Sequence, residues 1–367
     1  MDAPSPLKGS FWVFVLYDVA EEIHLEELRG IIGAPPAGRQ PAFKHPTPDY
    51  VRFERPPVIE YPDPVSIATG EQFQCRIKYY DYGVVSIELQ LPFASDWEQL
   101  IRLSNRWVAA PEIERCTTDL LKSHLKRVQP ALDQPYSPWV SEDYYIIQLC
   151  ESHDSGGQPM TAAAMLSSHG AQIAQIVRGE SMPLSEAERT EALQSSMSYY
   201  PTDLIVVGWV GALVYDTPQG AAPAIQLLEY ANTQLLEFRH YDDVLTHVLQ
   251  HVYKSLERKG GLFRRWTLAR KAEDLNTIRL DITELTERTD NAIKFLSDMF
   301  YARAYRIAAK RVGVNDYRNL VDEKLRTAWE LYQFMVDEFH QARAFVLEVM
   351  VVAILIIELV HLFTGRS

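Results

Sequence analysis

Cysteine is scarce and unpaired in this chain. Cys75, Cys116 and Cys150 are its only three, each more than thirty residues from the next. That spacing excludes a zinc ribbon and a disulfide framework and fits a reducing compartment. Positive charge is also short. At a net -13 the chain lacks the basic surface that phosphate binding needs for counterion release, so there is no strong nucleic-acid signal. Residues 1–10 carry no arginine and no basic n-region, and the apolar run 11–17 ends at Asp18. Such a run reads as a strand and is too short for the core of a signal peptide. A phosphate-binding glycine loop, a dinucleotide fingerprint, a zinc-protease helix and a nucleophile elbow are all missing, and no cofactor is expected.

What is present is a globular balance, 47% apolar and 23% charged, in a chain long enough for two or three domains. Residues 11–17 read as a buried strand and 24–32 as a short helix. A proline-rich loop covers 33–64. Strands at 72–80 and 84–91 flank Asp81-Tyr82-Gly83 as a hairpin, and helices follow at 96–109 and 112–132. A second unit repeats the plan with a strand at 144–150, helices at 161–177 and 185–196, strands at 204–207 and 212–215 around Gly208 and Gly211, and a helix from Pro218. The expectation is an α+β protein of two small α/β lobes, residues 1–135 and 136–260.

Beyond them, a basic segment and helical hairpin occupy 261–343. Ile282, Leu285, Thr289, Ala292, Leu296 and Met299, and then Val321, Leu325, Ala328, Tyr332, Met335, Phe339, Ala342 and Val346, recur at intervals of three and four around the turn 313–316. Such a pattern fits two antiparallel helices with coiled-coil-like faces. The box Asp281-Ile282-Thr283-Glu284 suggests that the first helix starts near 281, with Thr283 and Asn276 as equal candidates for the cap.

Residues 344–363 hold fourteen Leu, Ile, Val or Phe and only three ionisable residues, Glu348, Glu358 and His361. At about 1.5 Å per residue this run matches the roughly 30 Å hydrocarbon core of a bilayer. Its apolar residues contribute on the order of -6 kcal/mol to insertion, and one central acid at about +3 with two further ionisable residues nearer the ends brings the sum close to zero. On length and apolar content a membrane span is expected ahead of the alternative, a buried core or oligomerisation helix, with lipid contacts through Leu347, Glu348, Ile354, Ile357, Glu358 and His361. Glu358 and His361, three residues apart, share one helical face. Arg264, Arg265 and Trp266, in a stretch of mixed basic and apolar residues, read as a solvated linker or helix face or, alternatively, as a membrane contact at the headgroup layer.

His240, Asp243, His247 and His251 form a stripe on a helix with one metal-compatible interval. The stripe borders the apolar row Tyr241, Leu245, Val248, Val252 and Leu256, where structural histidines are common, and no metal site is assigned. Polar residues also crowd 228–239, with no role evident from the sequence.

The pair Leu347-Glu348, nine mainly apolar residues, Glu358 and the preceding helical hairpin resemble the end of the proteins named for a requirement in meiotic nuclear division. The segment 203–215 is similar to that family's central hairpin. The likeness spans about residues 200–363, with Tyr215 standing where the family has tryptophan, and it implies a C-terminal membrane anchor. Together these features predict a membrane-tethered scaffold or interaction protein with its bulk on the cytoplasmic side. Its partners would be lipid and further copies of the chain, with any other protein partner unidentified. The alternative is an enzyme or metal-dependent protein with its site between the two lobes.

Overall fold

The computed structural model describes residues 7–34, 56–67, 70–108, 110–152, 158–257, 277, 279, 280, 282, 283 and 299–364. The chain divides into two compact units, one of Met1–His240 with Thr289–Tyr317, the other of Tyr241–Arg288 with Arg318–Ser367.

The first unit is built on a nine-stranded sheet: β1 (Leu7–Ile23), β2 (Val58–Glu60), β3 (Val65–Ser66), β4 (Gln72–Tyr79), β5 (Val84–Ser95), β6 (Leu132–Glu151), β7 (Ser196–Met197), β8 (Leu204–Val207) and β9 (Gly211–Tyr215). The order is β2-β4-β5-β1-β6-β9-β8-β7, with β3 beside β4. All pairings are antiparallel except β6 with β9. The α+β class is as expected. β6 pairs with β1 on one side and β9 on the other, so both sets of strands lie in one sheet. The missed feature is the length of β6, whose early residues are polar and proline-containing and do not read as strand.

β1 is central and buried on both faces, as its unbroken apolar run requires. Phe11, Val13, Val15, Tyr17 and Val19 belong to the main core with residues of α1 (Leu25–Ile32), α2 (Trp97–Trp107), α3 (Pro111–Val128), α4 (Ala162–Arg178) and α5 (Glu186–Leu193). Leu16 instead clusters with Tyr80, Val84 and Leu236. The last of these belongs to α6 (Pro218–Glu257), a helix buried all round from Leu227 to Phe238. A helix in that position is a core element, although it buries the polar residues Glu229, Asn232, Thr233, Gln234 and Glu237 there. α7 (Met299–Val312) joins the same unit: its Tyr305 hydroxyl bonds Gln234, and Arg311 bonds Glu191 of α5.

Gly313, at φ 93, ends α7, and α8 (Val314–Thr364) begins at the next residue. The glycine turn is where the sequence places it. The cap at Asp281 lies outside the described residues, as does most of 281–298. In the second unit Ala328 of α8 packs with Leu249 and Val252 of α6, with Tyr332 alongside. Lys324 meets Asp242 at 2.6 Å, and Arg279 lies over Trp329. Part of the regular apolar row of α8 is thus spent on α6.

Candidate functional site

The polar segment 228–239 acquires a role once α6 lies on the sheet. β4 and β5 place Arg76 opposite Glu88 and Lys78 opposite Ser86. With side-chain alternation, these charged groups fall on one face. Glu229 of α6 descends onto that face and bonds Lys78, which also bonds Glu88, while Arg76 Nε lies 2.6 Å from Glu88 Oε2. Glu88 and Glu229 are 1% and 0% exposed. Around them, Trp12 Nε1 donates to Gln148 at 3.2 Å, the Arg76 guanidinium sits over the Trp12 ring, and the Tyr82 hydroxyl and Thr233 are bonded at 2.9 Å.

Two acids and two cations meet here, so each of the four has a partner of opposite sign. Burial, and then the nearby Glu229 carboxylate, push Glu88 up to about 7. Burial acts to lower Lys78, but Glu229 and Glu88 outweigh it and hold its ammonium above the ordinary range. Burial drives Tyr80 and Tyr82 well up, so both phenols stay neutral. The arrangement locks α6 to the sheet through charge-assisted bonds. Sequence reasoning missed Arg76, Lys78 and Glu88; the available signal was the set of charges on one face of two strands read as a hairpin.

A second buried acid marks where α6 leaves the first unit. Asp18, 1% exposed, receives His240 Nδ1 at 2.8 Å, and Tyr136 stacks on the imidazole at 4.5 Å. Burial raises the Asp18 carboxyl above its usual range. The histidine stripe is therefore split. His240 serves Asp18, whereas Asp243 and His247 are solvent-exposed and 3.6 Å apart. The side chain of His251 lies outside those described. Among the described residues no group of three or more His, Cys, Asp and Glu is placed to hold a metal ion.

On the other side of the sheet, Glu60 accepts from Tyr79 Oη at 3.1 Å and pairs with His124 at 3.2 Å and with Arg127. Its own burial acts to raise it, but Arg127 and His124 prevail and hold it below the usual carboxylate range. This fastens β2 and β4 to α3.

The C-terminal part of α8 contains the predicted span. Ala344–Leu362, nineteen residues of mean hydropathy 2.6, is long and apolar enough to cross a membrane, and none of it is buried. Leu347, Ile354 and Ile357 are more than half exposed, and Glu348, Glu358 and His361 are exposed with them. Arg264, Arg265 and Trp266 lie outside the described residues.

The fold and its buried charge lock define a mixed α+β domain with a span-length helix in the same chain. The family described as "Uncharacterized protein MJ0711, N-terminal domain" matches residues 8–222. The chain belongs to that family. It is similar to "Uncharacterized protein MJ0711" of Methanocaldococcus jannaschii, 21% identical over 188 residues, 51% of this chain and 58% of the relative. The chain thus spans little more than half the length of that curated relative. No solved structure matches it.

Proposed function

We propose that this chain is a membrane-tethered scaffold or interaction protein, with the α+β unit displayed on the cytoplasmic side and α8 ending in a single span. The observation that carries this reading is the run Ala344–Leu362, apolar throughout most of its length and wholly exposed. Nineteen residues at about 1.5 Å each give roughly 29 Å, close to the hydrocarbon thickness. In water such a surface would be an aggregation hazard. The likeness of residues 200–363 to the proteins required for meiotic nuclear division supports the same anchor.

Glu348 sits where it reaches one interface, and Glu358 with His361 lies near the other. An acid within a span prefers a protein partner to lipid, which supports self-association through this helix. The alternative, a site between two lobes, draws no support from a sheet in which β6 bridges both sets of strands.

Membrane fractionation with alkaline extraction tests the tether. The full chain is expected to stay in the membrane pellet and a chain ending at Ala342 to appear in the supernatant. Equal extraction of both would sink the reading.

A further inference from the structure

α7 is a basic helix in an acidic chain. Its fourteen residues hold Arg303, Arg306, Lys310 and Arg311 and no acid. Arg311 is committed to Glu191. Arg303, Arg306 and Lys310 are exposed, recur at three and four residues and so share one face. None of the three has a carboxylate partner among the described residues. The opposite face is buried through Ala304, Tyr305, Ala308, Ala309 and Val312, so the outward direction of the cationic row is fixed by packing.

Large aromatic side chains stand at both ends of this row. Near the start of α7, Phe300 packs edge-on against Tyr199, which packs against Tyr200; the two tyrosines are 56% and 64% exposed. They are held out by Asp203, whose carboxylate accepts from the backbone N–H groups of Tyr199 at 2.7 Å and Tyr200 at 2.8 Å. At the other end, the Trp209 ring lies beside Gly313 and is 55% exposed.

We propose that this surface, Arg303, Arg306 and Lys310 between Tyr199–Tyr200 and Trp209, rests on the headgroup layer of an anionic bilayer. Cations at a lipid surface are drawn by its negative potential, and Tyr and Trp are the side chains that settle at headgroup depth. Nucleic acid fits less well. Three cations neutralise few phosphates, too few for the counterion release that drives nucleic-acid binding. The proposal adds a second membrane contact to the tether reading and does not depend on it, because the row belongs to the folded unit and not to the span.

The test uses the full chain with vesicles of phosphatidylcholine alone and of phosphatidylcholine with one-third phosphatidylserine, each carrying brominated acyl chains as quencher. The contribution of Trp209 is the fluorescence difference between the chain and its Trp209→Phe variant. Trp209 is expected to be quenched on anionic vesicles and not on neutral ones. Roughly half-molar salt, where the Debye length falls to about 4 Å, should abolish that quenching, as should Arg303→Glu/Arg306→Glu/Lys310→Glu.

Equal quenching on both vesicle types, or quenching on anionic vesicles that survives salt, overturns the proposal. So does binding of a single-stranded RNA oligonucleotide that the triple variant loses. Should the triple variant misfold, the salt series on the unaltered chain decides. Failure of the tether reads out separately, as release of the chain from neutral vesicles, and leaves the anionic dependence of Trp209 to stand or fall alone.

Discussion

At the scale of single residues, the most consequential group is Glu88, with Lys78 between it and Glu229. In the folded chain Glu88 holds its proton to about 7, against an ordinary 4.5. Between those values the folded state binds more protons than the unfolded one. The contribution of Glu88 to stability is therefore fully present below its ordinary value and is lost as pH rises through 7, by on the order of 1–3 kcal/mol. Glu88→Gln removes this dependence, so relative to the unaltered chain the variant should gain stability between pH 5 and pH 8; urea unfolding at the two values measures it. A variant that tracks the unaltered chain at both would show that Glu88 does not carry the proton. Lys78→Met leaves two acids buried without their shared cation and is expected to lower stability by about 3–5 kcal/mol. Adding Glu229→Gln should restore part of that loss, because the second variant removes one uncompensated charge. An unchanged or larger loss in the double variant would show that the pair is not coupled in this way.

At the scale of elements, two glycines have opposite value. Gly83, in the β4–β5 turn, has φ 90, and a Cβ there would lie 1.8 Å from the Ala20 carbonyl oxygen. Gly83→Ala should therefore destabilise by about 2–4 kcal/mol through strain and displaced backbone. Gly30 sits inside α1 with nothing within 4 Å of its would-be Cβ. Gly30→Ala should stabilise by about 0.5–1 kcal/mol, since alanine restricts the unfolded chain and favours helix. Thermal melts of the two variants shifting in the same direction would contradict the assignment. The β4–β5 turn, the glycine pair at 208 and 211, the start of α6 at Pro218 and the break at Gly313 were all legible, because each depends on local chemistry. The union of two sets of strands into one sheet was not: β6 pairs in parallel with β9 across more than sixty residues, and no local pattern encodes that neighbour. The role of residues 228–239 was hidden for the same reason, since Glu229 makes sense only beside Lys78, 151 residues away.

At the scale of the molecule, the family match and the folded unit end at different places. The match stops at residue 222, four residues after α6 begins, whereas the first unit continues to His240 and takes in Thr289–Tyr317. The consequence is physical. Without the rest of α6 the sheet face bearing Leu16, Tyr80 and Val84 loses Leu236, and Lys78 loses Glu229. A chain ending at 222 would then expose large apolar and ionic groups that the strands cannot cover, and small changes on that scale exceed the margin by which domains are stable. Residues 1–222 alone are expected to be aggregated or molten, with dye binding to exposed apolar surface and no cooperative unfolding. Residues 1–317, which retain α6 and α7 and omit the span, should be soluble and unfold cooperatively. The comparison by circular dichroism, dye binding and urea unfolding separates two ideas of what the matched region is. If 1–222 folds as well as 1–317, the helix is an appendage to a self-sufficient sheet, and the buried charges at its interface do not hold the fold together. If only the longer chain folds, α6 is the element on which the sheet closes its second face, and the polar residues 228–239 are there to seat it in one register.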